Sequence, residues 1–539
     1  MLWNKSPWLR QVSVAASSDA GICISPENTD EATRAMETKY LQDSLVRNVT
    51  PYGQPPQRLA SQLNSHPVVL PKQFLEDVSI FNEALIIALD DIVDRWWTDK
   101  EADFPSRMPL EPRVEKLLRW IAQGSEEGFV RPYKGNQGNL RPDILLPVSD
   151  APGTFPFRVC EINGRFPINF LHFVASGYEA LADTMKEWQN LFLKPASDRA
   201  KLFNGLLDLF DPSVPVHFLS ESSDLTEDSP LFGLIEQRTG MRPRSIKPSS
   251  LRLVGSATSP TGFDLYCITN TNTNLTANAN TNPNANTPSN THGLSPNLII
   301  ENGECLEKTH QIALQLHDTE LFSLSEAMIR QIALCCINDV RSVFISHDKR
   351  ILGILRHEVD SLVHRGVLSE IRGDMLRNVL IPTILPSSNE ALAIREAARV
   401  NPGNKKNFIL KPLRLARGKG ILLGKNLSDE EWIDILNDMN THSSFSSSSP
   451  PGTGTGTETE TATGTRTGQY ILQPFLPLQT VNWFWDEQRK VRNSRIVGTY
   501  YSVNGQFLGL GPWRTGVASE NVISASTKEV TTVMGVCLS

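Results

Sequence analysis

The stretch from 141 to 165 constrains this chain more than any other, because it reads as two strands whose reversal gathers acidic residues on one face. Arg141-Pro142-Asp143-Ile144-Leu145-Leu146 forms the first arm, and Ser149-Asp150-Ala151-Pro152-Gly153 turns the chain. The return arm runs from Phe155 to Ile162 and is rich in apolar and aromatic residues. Side chains two apart on a strand share a face, so Glu161, Asn163 and Arg165 point one way, and Asp143 on the neighbouring arm joins them. Two carboxylates and an amide oxygen are hard donors that suit a partly hydrated Mg²⁺ shared with phosphate. An arginine beside them suits a phosphoryl or carboxylate group. The plainer alternative is a surface ion pair.

A chain of 539 residues is long enough for two or three packed domains, and 40% hydrophobic with 21% charged residues is ordinary for a soluble enzyme. A net charge of −7 without a long basic run argues against a dedicated nucleic-acid binder and leaves room for a local phosphate pocket. The seven cysteines include no CxxC pair, which points to neither a zinc cage nor a disulfide framework, but to a reducing interior. Cys160, beside Glu161, reads as a structural thiol on the opposite face of its strand. Residues 1–25 lack the apolar stretch of a secretory signal, and Leu85-Ile86-Ile87-Ala88-Leu89 is too short to span a bilayer, so no membrane association and a cytoplasmic location are expected.

The chain divides into a poorly ordered segment 1–65, helices and the acidic hairpin in 66–200, an α/β unit in 201–370, and a strand-rich part in 371–539. Helical periodicity covers 71–97 and 112–123, then 176–193, 228–238, 323–335 and 351–365. Strands are expected at 214–219, 263–268 and 298–300. Two biased tracts, 269–292 and 443–468, read as disordered insertions. Ser346-His347-Asp348 is contiguous, cannot adopt triad geometry, and reads as a loop turn. The final residues Val536-Cys537-Leu538 read as a strand cut short or paired at an edge.

A second set of motifs lies far downstream. Phe408-Ile409-Leu410-Lys411-Pro412 is a strand ending in lysine, followed by Gly418-Lys419-Gly420 and the strand Ile421-Leu422-Leu423. Glycines let backbone N–H groups approach phosphate oxygens, and lysine adds a point charge. It is not a P-loop, and the alternative is a solvated basic turn. Gln473-Pro474-Phe475-Leu476 reads as a strand entering a stiff segment whose backbone suits an adenine edge; the alternative is a core strand and turn. Asn504-Gly505 marks a β-hairpin whose first arm carries Arg495 and whose second runs on to Arg514.

In this order the motifs resemble the ATP-grasp superfamily, in its circularly permuted form, which is similar to glutathionylspermidine-synthetase-like and related peptide ligases. The carrying residues are Asp143, Glu161-Ile162-Asn163, Lys411-Pro412, Gly418-Lys419-Gly420, Gln473-Pro474-Phe475-Leu476, Arg495 and Arg514. The resemblance implies an α/β (α+β) fold class: an ATP-grasp core with circular permutation, a preceding-type α/β domain in the middle, and an N-terminal helical segment. It implies ATP and Mg²⁺ as cofactors. Activity would be phosphorylation of a small-molecule or peptide carboxylate, then attack by an amine to give an amide. Asp143, Glu161 and Asn163 would hold the metal. Lys411 and Gly418–Gly420 would bind phosphates, and Gln473–Leu476 adenine. Arg514, Arg165 and Arg495 would stabilise the acyl phosphate or orient the carboxylate. Where many relatives carry a second lysine, the nearby basic residues here are Arg372 and Arg377, and the phosphate loop contains Leu415 and Ala416. A nucleotide-binding scaffold and a small-molecule kinase on the same fold are the alternatives.

Overall fold

Phe74, Val78, Phe81, Leu85, Leu89 and Ile92 recur at intervals of three or four and are all buried in the helix Lys72–Asp94, so the periodic stripe of the sequence is the packed face. A proline in the first turn starts the helix Pro112–Glu126, which buries Val114, Leu117, Leu118 and Ile121. The computed structural model describes residues 9–15, 23–53, 61–148, 156–222, 228–269, 297–415, 418–441, 470–485, 490–516 and 531–539. The turn at 149–153 and nearly all of the two biased tracts lie outside these residues. Among the described residues, no helix is long and apolar enough to cross a membrane.

The fold is mixed α/β. The first part of the chain contributes β1 (Val68–Val69), β2 (Asn139–Leu145), β3 (Arg158–Asn163) and β4 (Leu193–Pro195). The middle contributes β5 (Val216–Leu219), β6 (Arg244–Ile246), β7 (Leu251–Gly255), β8 (Phe263–Ile268), β9 (Leu298–Glu301), β10 (Glu304–Lys308) and β11 (Gln311–Leu314). Next come β12 (Phe408–Pro412), β13 (Leu422–Leu423), β14 (Tyr470–Pro474) and β15 (Thr480–Trp485). The last strands are β16 (Lys490–Val503), β17 (Gln506–Leu510), β18 (Trp513–Thr515), β19 (Thr531–Val533) and β20 (Gly535–Leu538).

Five sheets result. The largest runs β19-β18-β16-β2-β3, with β15 and β17 also paired to the long β16, so the acidic hairpin and the downstream hairpin form one surface. Phe74 and Phe81 of the helix Lys72–Asp94 pack on its Phe157, Tyr500 and Trp513 rings. A second sheet, β13-β12-β14, carries the lysine strand and is backed by the helix Asp429–Thr441, whose Trp432 stacks on Phe408. The middle part holds a parallel sheet β11-β5-β6 beside an antiparallel one, β7-β8-β10-β9. β20 lies between β1 and β4, so the final strand is paired on both sides rather than left at an edge.

Other expectations are also corrected. Within 1–65, residues Glu31–Val49 form a helix capped by Asp30, whose Ser44 and Asn48 donate to Asp183. Its buried stripe includes Glu37 and Ser44 beside Leu41, Leu45 and Val49, so hydrophobic periodicity is weak in the sequence. The helix expected at 176–193 spans Leu171–Glu187, and the chain then enters β4. Near the lysine strand, Gly424 packs so closely that a Cβ would lie 2.0 Å from the Lys405 carbonyl oxygen. Gly424→Ala is expected to cost about 1–3 kcal/mol through this backbone clash, read as a lowered denaturant midpoint.

Candidate active site

The β2–β3 register pairs Arg141 with Asn163 and Asp143 with Glu161, then passes over Cys160 to pair Ile144 with Val159. This bulge interrupts the alternation at Cys160 and re-aims the neighbouring side chains. Asp143, Glu161 and Asn163 do converge. Asn163 Nδ2 lies 3.4 Å from both Asp143 Oδ1 and Glu161 Oε1. Arg514, on β18, donates from Nη2 to Asp143 Oδ2 at 2.7 Å, and Arg141 Nε stands 3.7 Å from Asp143 Oδ1.

Two lysines face the same carboxylates. Lys349 Nζ is 3.6 Å from Glu161 Oε2 and donates to the Leu415 carbonyl at 2.8 Å, bridging the hairpin to the loop after β12. Lys411 is buried at the end of β12, where its charge acts on both Cys160 and Glu161. Burial tends to raise the Glu161 carboxyl, but Lys349, Lys411 and Arg141 outweigh it and hold the pKa near about 2. Burial pushes the Cys160 thiol up to about 11, against the opposing pull of Lys411, so it is protonated at neutral pH and is no nucleophile.

His347 lies below this cluster, with Nδ1 3.3 Å from the Ile162 carbonyl oxygen. Burial, followed by Lys349 and Arg165, lowers its pKa from 6.5 to about 4. Burial alone lowers His172 to about 3. Because these folded-state values lie below the unfolded one, their contribution to stability is complete above pH 6.5 and is lost as pH falls through about 4 for His347 and about 3 for His172. Thermal unfolding across that window should show the loss, and His347→Gln should remove the His347 share while the His172 share persists.

The turn expected at 346–348 is present at His347 and Asp348, but it is buried. Ser342–Ser346 is a π-helical turn, and Asp348 is fully buried. Asp348 accepts from Arg350 Nη2 at 2.7 Å and Arg414 Nε at 3.1 Å. Burial raises its carboxyl, but Arg350 and Arg414 bring the pKa to about 2. Arg414 also pairs with Glu111 at 2.8 Å, so the loop after β12 is pinned to the helical layer.

Other sequence candidates lie elsewhere. Arg165 does not join Asp143 and Glu161: it donates to Asp318 at 2.6 Å and to the Leu316 carbonyl at 2.7 Å. It lies beyond the end of β3, where alternation no longer governs direction. Arg495 is four residues along β16 from Thr499, the partner of Asp143, which is roughly 13 Å of strand. Arg372 and Arg377 lie on the helix Glu370–Val379 and pair with Glu83 and Asp360; the second lysine beside the acidic cluster is Lys349.

Gly418 and Gly420 adopt φ of +72° and +71°, and Lys419 is exposed between them. Gln473 is fully buried, and its Nε2 donates to the Cys160 carbonyl at 3.2 Å and to Thr383 Oγ1 at 3.0 Å. Its side chain therefore ties the lysine sheet to the acidic hairpin. The Phe475 N–H donates to the Asn407 carbonyl, and its ring packs under Lys425; Pro474 and Leu476 are half-buried.

Residues 81–345 match the AnkG N-terminal domain family. Over 516 residues the chain is 30% identical to an ATP-grasp enzyme, an alignment covering 95% of this chain; it belongs to the ATP-grasp enzymes. That relative is the ATP-grasp enzyme ankG of Aspergillus thermomutatus, 97% of which is aligned. A glutathione synthetase-like effector of Globodera pallida, solved in its apo form, superposes with a TM-score of 0.47 at 11% identity, covering 95% of this chain and 99% of the effector.

Proposed function

We propose that this chain is an ATP-dependent ligase that activates a substrate carboxylate as an acyl phosphate and joins it to an amine. The observation that carries the reading is the convergence of Asp143, Glu161 and Asn163 opposite Lys349 and Lys411, which arrive from separate elements. The donor set fits Mg²⁺: both carboxylates face one point, Glu161 is ionised across the working pH range, and rotation of the Asn163 amide would turn an oxygen to that point. Asp143, Glu161 and Asn163 would hold the ion, which when bound would offset phosphate charge.

The protein's own part is positioning and charge. Lys411 and Lys349 would bind phosphate oxygens, and Lys349 would also hold the loop carbonyl of Leu415 over them. Arg514, kept in place by Asp143, would face charge that develops on the transferred phosphoryl group. A carboxylate oxygen attacks the γ-phosphorus and ADP leaves. The amine then attacks the acyl carbon, phosphate leaves, and a proton is released. The Gly418–Gly420 turn and the segment Gln473–Leu476 would lie at the phosphates and adenine.

The acidic hairpin precedes the lysine strand along the chain, and β1 and β20 are neighbours in one sheet, which supports a circularly permuted core. Hydroxylamine tests the chemistry. With ATP, Mg²⁺ and pooled carboxylates, the wild type should release ADP and form a hydroxamate. ADP with a stable phosphorylated product and no hydroxamate would indicate a kinase instead.

A further inference from the structure

Three strands of the middle part meet at a buried cluster that the proposed reaction does not use. His217 lies on β5, the central strand of the parallel sheet, and its side chain is fully buried. Cys267 on β8 and Glu307 on β10 are directly opposed partners in the adjoining antiparallel sheet, with 1% and 6% exposure. One donor atom from each residue lies within 4.8 Å of the other two. Neither ring nitrogen of His217 has a well-formed hydrogen bond, although buried polar groups are ordinarily satisfied. Nε2 stands 3.5 Å from Glu307 Oε2.

Burial lowers the ring's pKa, but Cys267 and Glu307 outweigh it and raise it to about 9, so the metal-free alternative is an imidazolium that leans on both. Arg244 Nη1 already sits 2.7 Å from the same Glu307 oxygen. That pairing leaves both ring N–H groups buried without a well-formed hydrogen bond, the nearest carboxylate oxygen standing 3.5 Å from Nε2. A nitrogen, a sulfur and a carboxylate oxygen facing one point are instead the donors of a borderline-soft divalent ion.

We propose that His217, Cys267 and Glu307 bind a divalent ion of the zinc class, with a fourth position left for water or another small ligand. In a tetrahedral site, metal–nitrogen and metal–sulfur distances of about 2.0 and 2.3 Å place the donors roughly 3.5 Å apart, so small side-chain rotations close the cluster. Binding displaces the thiol proton of Cys267 to solvent. Arg244 stays on Glu307 and orients its carboxylate. The ion would staple the parallel sheet to the antiparallel one, a role independent of ATP chemistry. The ligands are far apart in sequence, which is why the absence of CxxC did not reveal them.

The test uses the full chain, stripped with a chelator and titrated with Co²⁺. The expected result is one equivalent bound with tetrahedral bands and a thiolate-to-cobalt charge-transfer absorption, displaced by Zn²⁺. The Asp143–Glu161–Asn163 cluster offers only oxygen donors and does not produce that absorption. Cys267→Ser should abolish the absorption, whereas Cys305→Ser and Cys335→Ser should retain it. Should Cys267→Ser fail to fold, Glu307→Gln serves as the second variant and should weaken Co²⁺ binding by at least about tenfold. No charge-transfer absorption in the wild type, its survival in Cys267→Ser, or unchanged affinity in Glu307→Gln would overturn the proposal.

Discussion

Glu161→Gln is expected to lower Mg²⁺-dependent ATP turnover by about a hundred- to a thousandfold, the range seen when one preorganised electrostatic group is removed from a reacting centre. Glu161 is the carboxylate on which the cluster turns. It lies within reach of Asn163 and Lys349, and its negative charge is held by Lys349, Lys411 and Arg141 together. The amide keeps the shape but removes that charge. Two lysines would then face each other without their shared counter-ion, and a cation would lose one of two carboxylates. Because Lys349, Lys411 and Arg141 outweigh burial and hold the Glu161 carboxyl well below its usual range, the substitution should also lower stability. Turnover is therefore compared at a temperature where both proteins are folded. The measurement is steady-state ADP release, paired with thermal unfolding to confirm the fold.

Glu37→Ala should have a large effect on stability, a loss of about 3–5 kcal/mol, because several buried hydrogen-bond partners lose their acceptor at once. Glu37 is fully buried, and its Oε1 accepts from Ser13 Oγ at 2.7 Å, Val14 N at 2.6 Å and Ala15 N at 2.7 Å. Its other oxygen meets His66 Nε2 at 3.0 Å, and both side chains are wholly excluded from solvent. One carboxylate therefore fastens the N-terminal arm, the helix Glu31–Val49 and the approach to β1. Alanine would strand three donors and the imidazole. Against a typical total of about 5–15 kcal/mol this is a large fraction, readable as a shifted urea midpoint. Glu37→Gln keeps one oxygen acceptor and should cost less.

What the sequence could show follows from period and proximity. Asp143, Glu161 and Asn163 were legible because strand alternation and a short reversal determine their common face, and the bulge at Cys160 did not separate them. Lys411 was legible as the end of an apolar strand. Arg514 was legible as the extension of an Asn-Gly hairpin. Lys349, Asp348 and Arg414 were not assembled from sequence, because their pairing is tertiary. The signal available was Asp348-Lys349-Arg350, a charged run inside the apolar stretch from Val340 to Leu355, where burial is costly without partners. Arg165 was misdirected because Asp318, from the middle part, captures it. The helix Glu31–Val49 escaped notice because its packed face spends positions on Glu37 and Ser44.

Direct titration of ATP by calorimetry, with and without Mg²⁺, on the wild type and Glu161→Gln, tests the central claim that the acidic hairpin and the lysine strand form one metal–nucleotide site. The account predicts ATP binding that strengthens with Mg²⁺ in the wild type and loses that dependence in Glu161→Gln. Absence of ATP binding, or binding that ignores both Mg²⁺ and the substitution, would contradict it.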